Sequence, residues 1–213
     1  MLRIRTLISL LCLIWLALGK TLPSSYSLAK RVETVLGHRR MAEAQAMVYM
    51  QTNRLSWQPG YGRQGGEQLG PGVYITPGYG EYTLNQNPAD WSCIIMIDQA
   101  RLARLPKIWI PEEDEDCNQL WFNDRNIRRY IQGKGLNPDR TLRLSVIYDQ
   151  FPKAYQILIP SALVNSLQAT TWCYRPEDSH QVPRQRADID NWPRVRDEEY
   201  KNESPNAIEE GLI

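Results

Sequence analysis

The chain has 213 residues, 25 of them basic and 24 acidic, for a formal net charge of +1 at neutral pH. So even a balance, with no long basic block, excludes the electrostatic footprint of a nucleic-acid binder. With only two histidines, a histidine-based zinc site has too few ligands, and no metal is expected.

Residues 1–19, "MLRIRTLISLLCLIWLALG", run from Arg3 and Arg5 through an apolar stretch to small residues at Ala17 and Gly19. That is the order of a secretory signal peptide cleaved after Gly19. The apolar run from Leu7 to Leu18 falls short of the roughly 20 residues that span a bilayer. No later run could cross one, so the expected product is a secreted, extracellular, monomeric protein without a membrane anchor. Residues 20–29 read as a polar leader, 30–174 as a folded domain and 175–213 as a tail.

Within the domain, "KRVETVLGHR" sets Val32, Thr34 and Leu36 in the alternation of a strand. "RMAEAQAMVYMQTNRL" places Met41, Ala44, Met47, Val48 and Met50 at helical spacing among good helix formers. Pro59 and the glycines at 60, 62, 65 and 66 mark a loop. "GVYITP" is a brief strand, and "WSCIIMID" a longer and central one. "ARLARLPKIWIP" reads as a helical turn and then a strand ending at Pro111. The acidic run "EEDEDC" lacks the alternating ligands and the glycine of a calcium loop and reads as solvated. "NDRNIRRYIQGKG" is a helix capped by Asn123 or Asp124 and stopped by glycine. "RTLRLSVIY" and "AYQILIP" are two strands joined at "DQFPK". Strands mixed with two or three helices, without βαβ alternation, predict an α+β fold. From Arg175 onward the chain is rich in Pro, Asp, Glu and Arg, and that composition predicts disorder. Asn202-Glu203-Ser204 within it is a glycosylation sequon, weakened by the following Pro205.

Three cysteines follow the leader: Cys93, Cys117 and Cys173. In an oxidising compartment an odd number allows one bridge and a free thiol, an intermolecular bridge, or none. Cys93 lies in an apolar run and reads as a buried free thiol. Cys117 and Cys173 lie in polar surroundings and are the preferred pair.

The stretch "EQLGPGVYITPGYGEY" spends several glycines around Tyr74. It is no phosphate loop, because Pro77 and the glycines after it prevent the helix that a G-x-G-x-x-G motif opens. It does offer a strand-borne tyrosine flanked by turns, an arrangement suited to stacking a flat ring.

With "VLGHRR" before it and "QILIP" after it, the chain resembles the ADP-ribosyltransferase family, in particular its secreted fungal, enterotoxin-A-like effector members. The resemblance spans roughly residues 30–165. It implies a split sheet of short antiparallel and mixed strands and NAD as the ligand. His38 or Arg39 would hold the adenosine side, while Gly70 and Gly72 would leave room for Tyr74 to stack on the nicotinamide. The position of the family's catalytic glutamate is occupied by Gln156, and Ala154 stands where arginine-modifying relatives carry a second glutamate. A glutamine brings no charge to an oxocarbenium-like transition state, where a single preorganised group is worth about 3–4 kcal/mol. The resemblance thus implies a degenerate enzyme, a secreted effector that acts by binding a host or target protein. Two other readings stand beside it. One is an active transferase or NAD glycohydrolase using Glu81 or Asp149. The other is a protein- or glycan-binding module with no nucleotide site, presenting Tyr61, Tyr79 and Tyr82.

Overall fold

The computed structural model describes residues 31–59, 66–84 and 87–197. The leader, Tyr61, Asn202 and the chain after residue 197 lie outside the described residues. Among the described residues eight strands form two sheets. β1 (Glu33–Met41), β3 (Trp91–Asp98) and β7 (Thr170–Tyr174) make an antiparallel sheet in the order β1-β3-β7. The second sheet runs β2-β6-β5-β4-β8, from β2 (Gly72–Ile75), β6 (Tyr155–Pro160), β5 (Leu142–Val146), β4 (Lys107–Trp109) and β8 (Val195–Arg196). β2, β6 and β5 pair antiparallel, whereas β4 is parallel to both β5 and β8. A single antiparallel bridge, His38 to Thr76, joins the sheets through paired backbone bonds of 2.7 and 2.8 Å. The expected α+β class is what the chain adopts.

The helices are α1 (Glu43–Thr52), α2 (Gln99–Arg104), α3 (Asp124–Gly133) and α4 (Ser161–Leu167). α3 begins where its sequence says it should, with the Asn123 side chain accepting the Asn126 N–H. Gly135, at φ +75°, ends it. α1 forms as expected but buries a different face. Gln45, Ala46 and Tyr49 point inward, while Met47 and Met50 are exposed. The Tyr49 ring fills the core and its hydroxyl donates to Ser56 O, so one large side chain outweighs the methionine stripe.

β1 departs from simple alternation as well. A register shift between Val35 and Gly37 lets Val35 and Leu36 both reach the core, and Val32 is exposed.

Two apolar clusters flank the second sheet. One lies between the sheets and against α1 and α4, with Leu36, Val73, Ile75, Ile95, Ile157, Ile159 and Leu163 among its members. The other packs Leu158, Ile108 and Ile110 against Ile127 and Ile131 of α3. β6 is therefore buried on both faces, which is why "QILIP" reads as an unbroken apolar run rather than an alternating one.

The boundary at residue 174 is corrected. Residues 176–181 and 189–191 form 3-10 turns, and β8 adds a strand to the larger sheet. Val182, Ala187, Ile189 and Trp192 are buried. Composition missed this because a few well-spaced apolar side chains, inserted into a core built by the rest of the chain, are enough to order a charged segment.

Lys107 pins that segment from inside. It is fully buried, and its ammonium donates to Leu102 O (2.7 Å), Leu105 O (2.9 Å) and Pro193 O (3.2 Å) beside the Trp192 ring. Burial lowers its pKa to about 8. Lys107→Met would keep the volume but strip three carbonyls of a charged donor. The expected cost is about 2–4 kcal/mol, read as a fall of about 1–2 M in the urea midpoint.

The cystine is the second correction. Cys93 and Cys173 face each other in register across β3 and β7 and are bonded, with Cα atoms 4.0 Å apart. Cys117 is the free, exposed thiol. Polarity of surroundings misled the pairing, because adjacency in the sheet, not local composition, brings the sulfurs together.

Candidate functional site

The register gathers three of the sequence-derived positions on one face. Tyr74 on β2 opposes Leu158 on β6, and Gln156 is two residues from Leu158. Thr76, two residues on from Tyr74, opposes His38. Since side chains two apart in a strand share a face, His38, Tyr74 and Gln156 lie along a common surface of β1, β2 and β6. Arg39 does not join them. It turns to the opposite side, where its guanidinium reaches Gln45 of α1 at 3.5 Å and burial lowers its pKa.

Each of the three is engaged within the protein. The Tyr74 ring packs against the α3-side cluster. Its hydroxyl accepts the Leu69 N–H (2.8 Å) and donates to Gly70 O (2.9 Å), and burial raises its pKa. This bond pair explains the glycines. At Gly70, φ is +94°, and a Cβ would collide with the Asp124 carboxylate and the Arg143 guanidinium. At Gly72 a Cβ would run into Ile159 O of the neighbouring strand. The fully buried Arg143 then ties this turn to α3 through Leu69 O and Asp124 Oδ1, the latter at 2.9 Å. Close backbone approach is indeed what the glycines provide, but to the protein's own strand and turn.

Gln156 is buried, and its amide donates to Gln68 Oε1 and to Val146 O (3.0 Å). Gln68 in turn donates to Val146 O (3.0 Å) and accepts the Tyr148 N–H (3.0 Å). The paired carboxamides thus lock the turn before β2 to the end of β5. Gln68 was not singled out by the sequence, since its partner is 88 positions away and no local pattern marks it.

His38 is buried beneath the C-terminal segment, with its Nε2 2.8 Å from Gln185 O. Burial lowers its pKa, and the cation of Arg184 acts in the same direction, while the Gln185 carbonyl and Glu81 oppose it. Tyr79 stands edge-on to the imidazole, at 6.2 Å between centroids. The Arg184 guanidinium lies 3.9 Å from the centre of the Tyr79 ring, and Arg186 binds Glu81 Oε1 at 2.7 Å. Tyr79 and Tyr82 are half-buried rather than presented to solvent. Among the described residues the exposed aromatics are Phe122, Tyr148, Phe151 and Trp172, and Phe122 and Tyr148 form an edge-to-face pair at 5.4 Å. Asp149, next to Tyr148, is exposed at φ +56°.

In the acidic loop, Asp114 accepts the backbone N–H groups of Asp116 (3.1 Å) and Asn118 (2.8 Å). Its carboxylate organises the turn and is held below the ordinary range, chiefly by the Asn118 backbone bond. Among the described residues no group of three or more His, Cys, Asp or Glu side chains could hold a metal, and no helix is long and apolar enough to cross a membrane.

A model of a family of unknown function, DUF5910, matches residues 67–198, more than half of the chain. The chain belongs to DUF5910. The DUF5910 match begins at the turn that carries Gln68 and Gly70 and ends just after β8. It therefore takes in the segment over His38 but leaves out β1 and α1. No curated protein matches the chain.

Proposed function

We propose that this protein is a secreted, non-catalytic binding protein built on an ADP-ribosyltransferase-like frame. The observation that carries the reading is Gln156. By the resemblance it takes the position of the ADP-ribosyltransferase glutamate, and its amide is committed to Gln68 and Val146 O. Charge is absent where the transition state would need it, and the carboxamide has no free donor to offer a ribose hydroxyl. The common face of His38, Tyr74 and Gln156 supports descent from a nucleotide-binding arrangement. Their internal bonds support loss of that use. Glu81, a possible substitute acid, holds Arg186 instead.

Secretion is supported by the signal-peptide pattern of residues 1–19 and by the cystine, since disulfides persist in oxidising compartments. Binding falls to the exposed aromatics, with Phe122 and Tyr148 foremost, because large aromatic side chains dominate the energetics of recognition.

Calorimetry of the secreted chain with NAD tests the proposal. No heat beyond dilution is expected up to millimolar NAD, and no label is expected to pass from NAD to acceptor proteins. Saturable binding, or transfer lost in Gln156→Ala, would overturn it.

A further inference from the structure

We propose that the span Pro183–Arg186 is an acid-operated latch with His38 as its release, so that lowering pH frees the span from Tyr79 and Glu81. The span is exposed but lies between two buried pins, Val182 and Ala187, each about 98–99% removed from solvent. It can therefore lift, with the Ala187 N–H parting from Pro77 O, while the apolar side chains of Val182 and Ala187 stay seated. Four contacts hold it down. Ala187 N–H donates to Pro77 O at 2.9 Å, Arg186 binds Glu81, Arg184 stacks on Tyr79, and His38 ties Gln185 O at mid-span.

The tie at Gln185 O requires the tautomer with its proton on Nε2, because a carbonyl only accepts. Nδ1 is then the imidazole's lone pair. It is buried and meets no hydrogen-bond partner among the described residues. A proton taken up from solvent at low pH must go to Nδ1, creating a buried cation with an unanswered donor.

The charged and titratable groups facing the ring are Tyr79 and Glu81 from the loop after β2 and Arg184 from the span itself. Glu81 favours the imidazolium, whereas burial and Arg184 oppose it and prevail, so the closed-state pKa is lowered. The sign follows. Above about pH 6.5, the ordinary histidine value, both states are neutral and the latch has its full strength. As pH falls through that value, the open state binds a proton that the closed state resists, and closure weakens until the lowered closed-state pKa is reached.

Hydrogen exchange of the amides of residues 184–187, above all the Ala187 N–H bonded to Pro77 O, corrected for intrinsic rate, tests this on the full secreted chain between pH 7.5 and 5. Exchange is expected to accelerate by up to roughly tenfold for each unit separating the two pKa values, while β6 stays protected. Nitrogen shifts of the imidazole should place the His38 titration below 6.5 and over the same interval. Acceleration should persist in Glu81→Gln, which removes the carboxylate, and vanish in His38→Gln. If His38→Gln does not fold, Arg184→Gln replaces it and should shrink the acceleration by raising the closed-state pKa. Exchange flat with pH in the unaltered chain overturns the latch. So does acceleration unchanged in His38→Gln or, in its place, in Arg184→Gln.

Discussion

Gln156→Glu is expected to unfold the protein more readily at neutral pH and to confer no transferase activity. The glutamine donates through one amide nitrogen to two acceptors, Gln68 Oε1 and Val146 O. A carboxylate there has no proton to give and faces both oxygens in a buried setting. Removing the donor from a buried network costs about 3–5 kcal/mol, a fall of about 10 °C or more in Tm for a domain of this size. The loss should depend on pH. The carboxyl can still donate when protonated, so burial raises its pKa in the folded state. Stability is then retained below the unfolded value of about 4.3 and lost as pH rises through it. Urea melts at pH 4.5 and 7.5 check this, and the variant should sit closer to the unaltered protein at the lower pH. A variant as stable as the parent at pH 7.5 that also acquires NAD-dependent label transfer would overturn the structural role assigned to Gln156 and show that the site lacks only a carboxylate.

Removal of the cystine should have a comparable effect. Cys93 and Cys173 are 80 positions apart, and closing a loop of that length disfavours the unfolded chain by about 4 kcal/mol in the chain-entropy model. The bond also fixes β7 to the centre of its sheet, where Thr171 and Ile95 are buried. The double variant Cys93→Ala, Cys173→Ala is expected to lose about 3–4 kcal/mol in denaturant melts, whereas Cys117→Ser should leave the midpoint unchanged. Thiol titration of the denatured secreted chain should find one free cysteine, at Cys117. Equal losses in the Cys117→Ser and double variants would contradict the pairing.

The sequence alone was informative wherever structure is local. The Asn123 cap and the stop at Gly135 are set by single residues acting on their own backbone. The strand at "WSCIIMID" and the buried run "QILIP" follow from the apolar content of a few consecutive positions. From these alone the α+β class and the order of the main elements were legible.

What escaped was long-range partnership. Gln68 is chemically unremarkable, and the partner of Gln156 is undefined, until the turn before β2 meets β6. Cys93 looked like a buried thiol until β7 paired beside β3. The segment after Arg175 reads as solvated because its charge outweighs its apolar content, and only the core waiting for Ile189 and Trp192 orders it. The glycines around Tyr74 show the division well. Their need for close backbone approach is written in the sequence, since a missing Cβ is a local fact. What approaches them is the strand at Ile159 and the Asp124–Arg143 pair, and only tertiary packing could decide that, because hydrogen bonds and steric contacts take no account of distance along the chain.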